Sequence, residues 1–267
     1  MRGAPTGRLR HGRAPSRRLL RLGAVLSLLA VGGLAVVHLF SNRLRFLNAT
    51  PRSIWLSIAG GISVAYVFIH LLPELAEGQE TVAEALGEGE GLAFLESHVY
   101  LVALVGLAVF YGLERIATSS RRRERQTSKE DSTSEGVFWL HVSSFAIYNF
   151  LIGYLFLHRL ATGLEDLLLF FVAMALHFVV NDHGLREHHK EAYLRRGRWV
   201  LAAAVVLGWV VGLLTEIPEV AIAVLTAFLA GGVIMNVLKE ELPEERESRF
   251  WAFALGGAVY TGILLAL

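Results

Sequence analysis

The sequence predicts an all-α fold of polytopic membrane type, a bundle of eight transmembrane helices. Three observations predict it. Hydrophobic residues make up 54% of the chain and charged residues 18%, against roughly 45–50% and 25% in soluble domains. The apolar residues are also bunched. Runs such as Trp199 to Leu214 and Val220 to Leu238 are nearly free of charge, and a bilayer core takes about 20 apolar helical residues to cross. Finally, no short alternating segments of the kind a β-barrel needs are present. In lipid each backbone group must be satisfied within its own segment, so each run is a helix.

Taken in order, the expected spans are 19–40, 53–75, 97–116, 136–158, 166–185, 199–215, 218–238 and 250–267. The Arg-rich tail 1–18 precedes the first span and resembles the start of a signal peptide, but Gly32 to Val37 offers no clean small-x-small cleavage site. The second span ends His70-Leu71-Leu72-Pro73-Glu74. After the third, 117–135 is almost devoid of apolar residues and reads as a flexible, charged linker. It divides the chain into spans one to three (19–116) and spans four to eight (136–267). Gly60-Gly61 in span two and Gly231-Gly232 in span seven permit close helix contact.

Lys and Arg set the expected orientation. Arg43, Arg45 and Arg52 follow span one, and Arg115, Arg121, Arg122, Arg123, Arg125 and Lys129 follow span three. Arg186, Lys190, Arg195, Arg196 and Arg198 follow span five, and Lys239, Arg246 and Arg249 follow span seven. The opposite connections hold only Arg159, and the longest is acidic (Glu77, Glu80, Glu84, Glu88, Glu90, Glu96). The basic set, with the linker 117–135, is therefore expected to be cytoplasmic, with both termini outside. The tail (Arg2, Arg8, Arg10, Arg13, Arg17, Arg18, Arg21) runs against that rule. The expected location is the cell membrane, as a multi-pass protein of a bacterial inner membrane, with the lipid bilayer as partner and no nucleic acid. The absence of cysteine excludes disulfides and thiolate metal sites.

Polar residues inside spans carry the functional information. His177 lies about ten residues into span five, roughly 15 Å deep. Asn181 follows on the same face at i+4, and Asp182, His183, Arg186, Glu187, His188 and His189 crowd the end of that span. Asn149 in span four lies within about one helical turn of His177 in depth. Imidazole and amide oxygen suit a divalent cation of the zinc class, so Asn149, His177, Asn181 and Asp182 are the candidate metal residues. A hydrogen-bonded clamp between helices is the plainer reading. His70 and Glu74 share a face where ions could enter, or are simply interfacial. Asn236 and Glu240, again at i and i+4, are either an exit relay or, with Lys239, a capping and snorkelling group.

Three stretches resemble a known family, the ZIP zinc and iron transporters. They are Ala59 to Glu74, ending His-Leu-Leu-Pro-Glu; Ala230 to Glu244, with its Ala-Gly-Gly start and Glu-Glu-Leu-Pro-Glu end; and Ala175-Leu176-His177. The resemblance implies eight helices, external termini and a variable cytoplasmic loop between helices three and four. It also implies a metal site, carried here by Asn149, His177 and Asn181. The chain departs from the family where its fourth helix carries His-Asn-x-x-Asp-Gly, since only Asn149 and Gly153 match. It departs again where the fifth carries Ala-Leu-His-Glu-x-Pro-Glu-Gly, the glutamates falling on Phe178 and Asn181 and the proline on Val180.

Three functions follow as expectations. The first is a ZIP-like transporter of zinc or another divalent cation with a reduced site, not an enzyme and with no cofactor required. Ions would pass His70 and Glu74, bind at Asn149 and His177, and leave by Asp182, His183, His188 and His189. The second is a transport-inactive relative that binds a partner or senses. The third is an intramembrane zinc hydrolase drawing on His141, Ser144, His177, Asp182 and His183.

Overall fold

The computed structural model describes residues 17–41, 54–86, 98–127, 132–241 and 249–266. Among them all regular structure is helical: α1 (Arg17–Phe40), α2 (Ile54–Tyr66), α3 (Leu72–Leu86), α4 (His98–Thr127), α5 (Glu135–Thr162), α6 (Leu164–Ala192), α7 (Arg198–Leu214), α8 (Glu219–Glu241) and α9 (Phe250–Ala266). Six stretches are long and apolar enough to cross a membrane: Gly23–Phe40, Ser57–Ala85, His98–Thr127, Glu135–Leu157, Leu167–Leu214 and Glu219–Lys239. Phe250–Ala266 is a shorter apolar helix. The surface is that of a multi-pass membrane protein: Trp55, Leu214, Phe250 and Leu265 are exposed while His38, Asn149, His177 and Asp182 are buried.

Helices run further than hydropathy alone indicates. The second span continues through Glu77, Glu80 and Glu84 to Leu86, because Glu, Gln, Ala and Leu favour helix whether or not lipid surrounds them. Likewise α4 continues through Arg121, Arg122, Arg123 and Arg125 to Thr127, so the expected linker 117–135 is helical over much of its length. Ser134 then bonds back through its N–H to Ser120 Oγ, 3.1 Å away. The tail 1–16, and with it most of the tail arginines, lies outside the described residues. So do Arg43, Arg45, Arg52, Glu88, Glu90, Glu96, Lys129 and Arg246, and the side chains of Arg159 and Glu240.

Two π turns interrupt the ladder. At Val67–Leu71 the Leu72 N–H bonds Val67 O, five residues back. Pro73 accounts for it, because a proline has no N–H and its ring crowds the carbonyl four residues earlier. The second, Tyr193–Gly197, follows Lys190, whose backbone stands at φ 47°, ψ −121°, a conformation that disfavours a β-carbon. This break matters for the 48-residue stretch Leu167–Leu214, which as one straight helix would be about 70 Å long. His141 meets His189 and Tyr148 meets His177, so α6 runs antiparallel to α5. Glu135 meets Arg196 and Tyr154 OH bonds Thr215 O, so α7 runs parallel to α5. The chain therefore reverses at Lys190–Gly197. Between α5 and α6 it reverses at Gly163 alone, where φ is 151° and glycine is the residue that fits.

The helices sort into two groups: α1, α5, α6 and α7 pack together, and α2, α3, α4, α8 and α9 pack together. The most extensive pairings are α5 with α7, α2 with α9, and α4 with α8. Each is made by glycines facing the partner's backbone in both directions. Gly153 lies against Val205 O and Gly208 against Phe150 O; Gly61 against Phe253 O and Gly256 against Ile58 O; Gly106 against Phe228 O and Gly231 against Ala103 O. A β-carbon at any of these six would overlap a carbonyl oxygen.

Two predictions follow from this packing. Gly153→Ala or Gly208→Ala forces α5 and α7 apart and lowers stability by about 1–3 kcal/mol, measurable as a fall in Tm in detergent; an unchanged Tm would refute the contact. Lys190→Gly removes the backbone strain and raises stability by about 1 kcal/mol, read by the same melt.

Candidate functional site

Two polar centres lie side by side inside the first helix group, each built from one of two consecutive residues on α5 and on α6. Tyr148 and Asn149 are neighbours on α5, and Asn181 and Asp182 on α6. Successive helical residues point about 100° apart, so each pair serves two places at once.

The first centre joins α1, α5, α6 and the second π turn. His38, near the end of α1, stacks on Phe178 with ring centroids 4.4 Å apart. Its Nε2 is 2.7 Å from Asn149 Oδ1 and its Nδ1 is 2.8 Å from Asp182 Oδ1. Asn149 Nδ2 donates to Phe145 O at 2.7 Å, which turns the amide oxygen toward His38. Nε2 therefore carries a proton and donates it. Nδ1 meets the carboxylate in a hydrogen bond, and the same carboxylate oxygen also accepts from Tyr193 OH. The other carboxylate oxygen, Asp182 Oδ2, is buried and has no hydrogen-bond partner. His38 and Asp182 are each 1% exposed, so they form a desolvated pair, which persists only when both partners stay.

The second centre is His177 with Tyr148 and Asn181. Tyr148 OH lies 3.0 Å and Asn181 Nδ2 3.1 Å from His177 Nε2. Both donate into that one lone pair, so the imidazole is neutral and its acceptor is already used. Tyr148 packs its ring against Phe110 of α4, at 5.2 Å between centroids. Beside it, a cavity of about 20 Å³ between the two helix groups, lined by Tyr66, Tyr148, Met174, Thr226 and Val233 among others, has room for about one water.

The candidate metal residues are thus brought together in part. Asn149 and Asp182 share the first centre, while His177 and Asn181 share the second. The expected facing of Asn149 and His177 is replaced by Asn149 with His38 and Tyr148 with His177. His183 stands apart, its Nδ1 3.2 Å from an Arg186 nitrogen. His70 lies in the first π turn, half-buried and stacked on Tyr66 at 5.3 Å, and Glu74 follows in the first turn of α3. Of the residues suited to hydrolysis, Ser144 is spent on Leu140 O, 2.9 Å away, and His141 meets His189 rather than His177 or Asp182. Among the described residues no three His, Asp or Glu side chains are grouped so as to hold a metal ion.

Sequence reasoning did not single out His38 or Tyr193. His38 had a signal, as the one ionisable residue in the otherwise apolar stretch from Gly23 to Phe40. Tyr193 had none, because only the reversal after Lys190 carries it back to Asp182.

No protein-family model and no curated protein matches the chain.

His38→Ala leaves the Asp182 carboxylate buried and unpaired and costs about 3–5 kcal/mol. His38→Phe with Asp182→Leu costs less than the two single changes summed, by about 1–3 kcal/mol. A double-mutant cycle on detergent-solubilised protein checks both, and strict additivity would show that the pair is not coupled.

Proposed function

We propose that the chain is an eight-span transporter of ZIP-like architecture whose substrate is a divalent cation of the zinc class, held by a reduced site. Eight crossings are supported by the antiparallel course of α6 and α7 within one long apolar stretch, and by the pairing of the shorter α9 with α2. Division of the helices into two groups suits alternating access, in which one group rocks against the other around a central site.

One observation carries the reading: Asp182 is a carboxylate buried among α1, α5 and α6 with one oxygen unpartnered, beside an imidazole whose Nδ1 faces its other oxygen at 2.8 Å. His38 has the arrangement usual for a metal-binding histidine, with one nitrogen turned to a carbonyl that orients it and the other to the ligand position. In this reading Asn149 orients, while His38 Nδ1, Asp182 and the Tyr193 hydroxyl bind. An incoming dication takes the place of the proton on Nδ1, and that proton leaves to water, so uptake and proton release are linked one to one. His177 keeps α5 and α6 together beside the site.

A second reading, a transport-inactive ZIP-like scaffold in which both centres only clamp helices, is favoured by the lack of any three-residue His/Asp/Glu group among the described residues. Zinc uptake by proteoliposomes separates the two. Wild-type protein is expected to admit zinc, acidification of the external buffer to slow it, and His38→Ala and Asp182→Asn to reduce it at least about tenfold, the loss of one transition-metal ligand being worth that much or more. Equal flux with and without Asp182 overturns the assigned site, and no flux from folded wild-type protein overturns transport and supports the clamp.

A further inference from the structure

Beyond the central site, a second histidine cluster lies where α6 breaks. His188 and His189 are consecutive and diverge. His188 Nε2 meets Glu114 Oε1 of α4 at 2.8 Å, and Glu114 Oε2 meets Lys239 Nζ of α8 at 2.8 Å. His189 turns the other way. Its Nε2 is 2.9 Å from His141 Nδ1, and its Nδ1 is 2.5 Å from Thr133 Oγ1. His189 also lines a pocket of about 780 Å³, together with Glu124, Thr133, Glu135, Phe138 and Glu191. His141, 3% exposed, lies behind it.

We propose that His141 and His189 form a peripheral binding site for a divalent transition-metal ion of the zinc class, reached from this pocket. Two imidazole nitrogens at 2.9 Å need to part by only a few tenths of an ångström to flank one ion at the usual zinc–nitrogen distance of about 2.0–2.1 Å. The proton balance is simple. Thr133 accepts from His189 Nδ1–H, which leaves Nε2 as a lone pair, and His141 moves its own proton from Nδ1 to Nε2. Both nitrogens then face the ion with no net release of a proton. Thr133 orients His189 as carbonyls and hydroxyls orient metal-bound histidines elsewhere, and water from the pocket completes the shell. The pocket rim is acidic, although Glu135 is engaged by Arg196 and Glu191 by Arg195, so the imidazoles rather than the carboxylates define the preference for a nitrogen-seeking ion over calcium or magnesium. His188 Nδ1 is buried and without a hydrogen-bond partner, and the ring stands 6.2 Å from His141 and 6.3 Å from His189 between centroids. It is the nearest further donor, not part of the pair. Binding here requires no flux, so the proposal stands or falls apart from the transport reading.

Zinc titration of the purified full chain in detergent, against a chromophoric indicator, tests it. The expected result is micromolar binding that His189→Gln and His141→Gln each weaken at least tenfold and that Asp182→Asn leaves intact. Melts without metal establish that each variant is folded. Because both histidines also tie α5 to α6, a second measurement reads the ligands of the bound ion directly. The electron paramagnetic resonance spectrum of one bound copper(II) is expected to show coupling to two imidazole nitrogens, and His189→Gln to remove one. Absence of zinc binding, affinity unchanged by both histidine substitutions, loss of it in Asp182→Asn, or a copper spectrum without nitrogen coupling overturns the site.

Discussion

Backbone lying directly on backbone is what the rest of this structure depends on. Lipid offers helices no hydrophobic reason to associate, so association rests on dispersion, weak Cα–H···O contacts and close fit. Six glycines supply that fit, two at each of the α5–α7, α2–α9 and α4–α8 crossings. None of these pairs is adjacent in sequence, and α5 and α7 run the same way. The α5–α7 contact fixes the rotation of α5 and so decides which of its residues look at α6.

That rotation explains why the polar interior is double. A helix can aim one side chain at a given point, and the next residue is aimed elsewhere. Tyr148 and Asn149 therefore divide between His177 and His38, and Asn181 and Asp182 divide in register with them. The division has an energetic sense. Neutral donors and acceptors are gathered around His177, whereas the ionisable carboxylate is placed with His38, whose two nitrogens face oxygens of Asn149 and Asp182. Phe178 lies against His38 with its ring nearly parallel, at 28°, and keeps water from the pair.

Much of the architecture was legible because hydropathy reports what lipid demands. The apolar runs locate the described helices apart from most of α3, and Gly61 and Gly231 lie at contacts of the kind their spans foretold. Helix ends were less legible: α3 and α4 continue on charged residues that prefer helix in water as in lipid. At the site, Asn149, His177, Asn181 and Asp182 all proved buried, since polar residues in a span must turn inward. Their partners were not readable. Depth along a helix fixes height but not which helix stands opposite, and an error of one residue in facing moved the contact of His177 from Asn149 to Tyr148. The reversal that brings Tyr193 to Asp182 depends on one strained residue, Lys190, that carries no pattern of its own.

The glycine crossings also impose an order of assembly. A chain made from its N-terminus delivers α2 to the membrane long before α9 exists, so Gly61 and its neighbours wait, as a notch in an apolar helix, for Phe253 and Gly256. In the interval that notch is open to any helix with a matching small residue, and Gly106 on α4 offers one. Only once Phe250–Ala266 has been made does the right partner arrive. The ninth helix is thus a keystone, and a nascent protein stopped short of it is left with an unfilled seam.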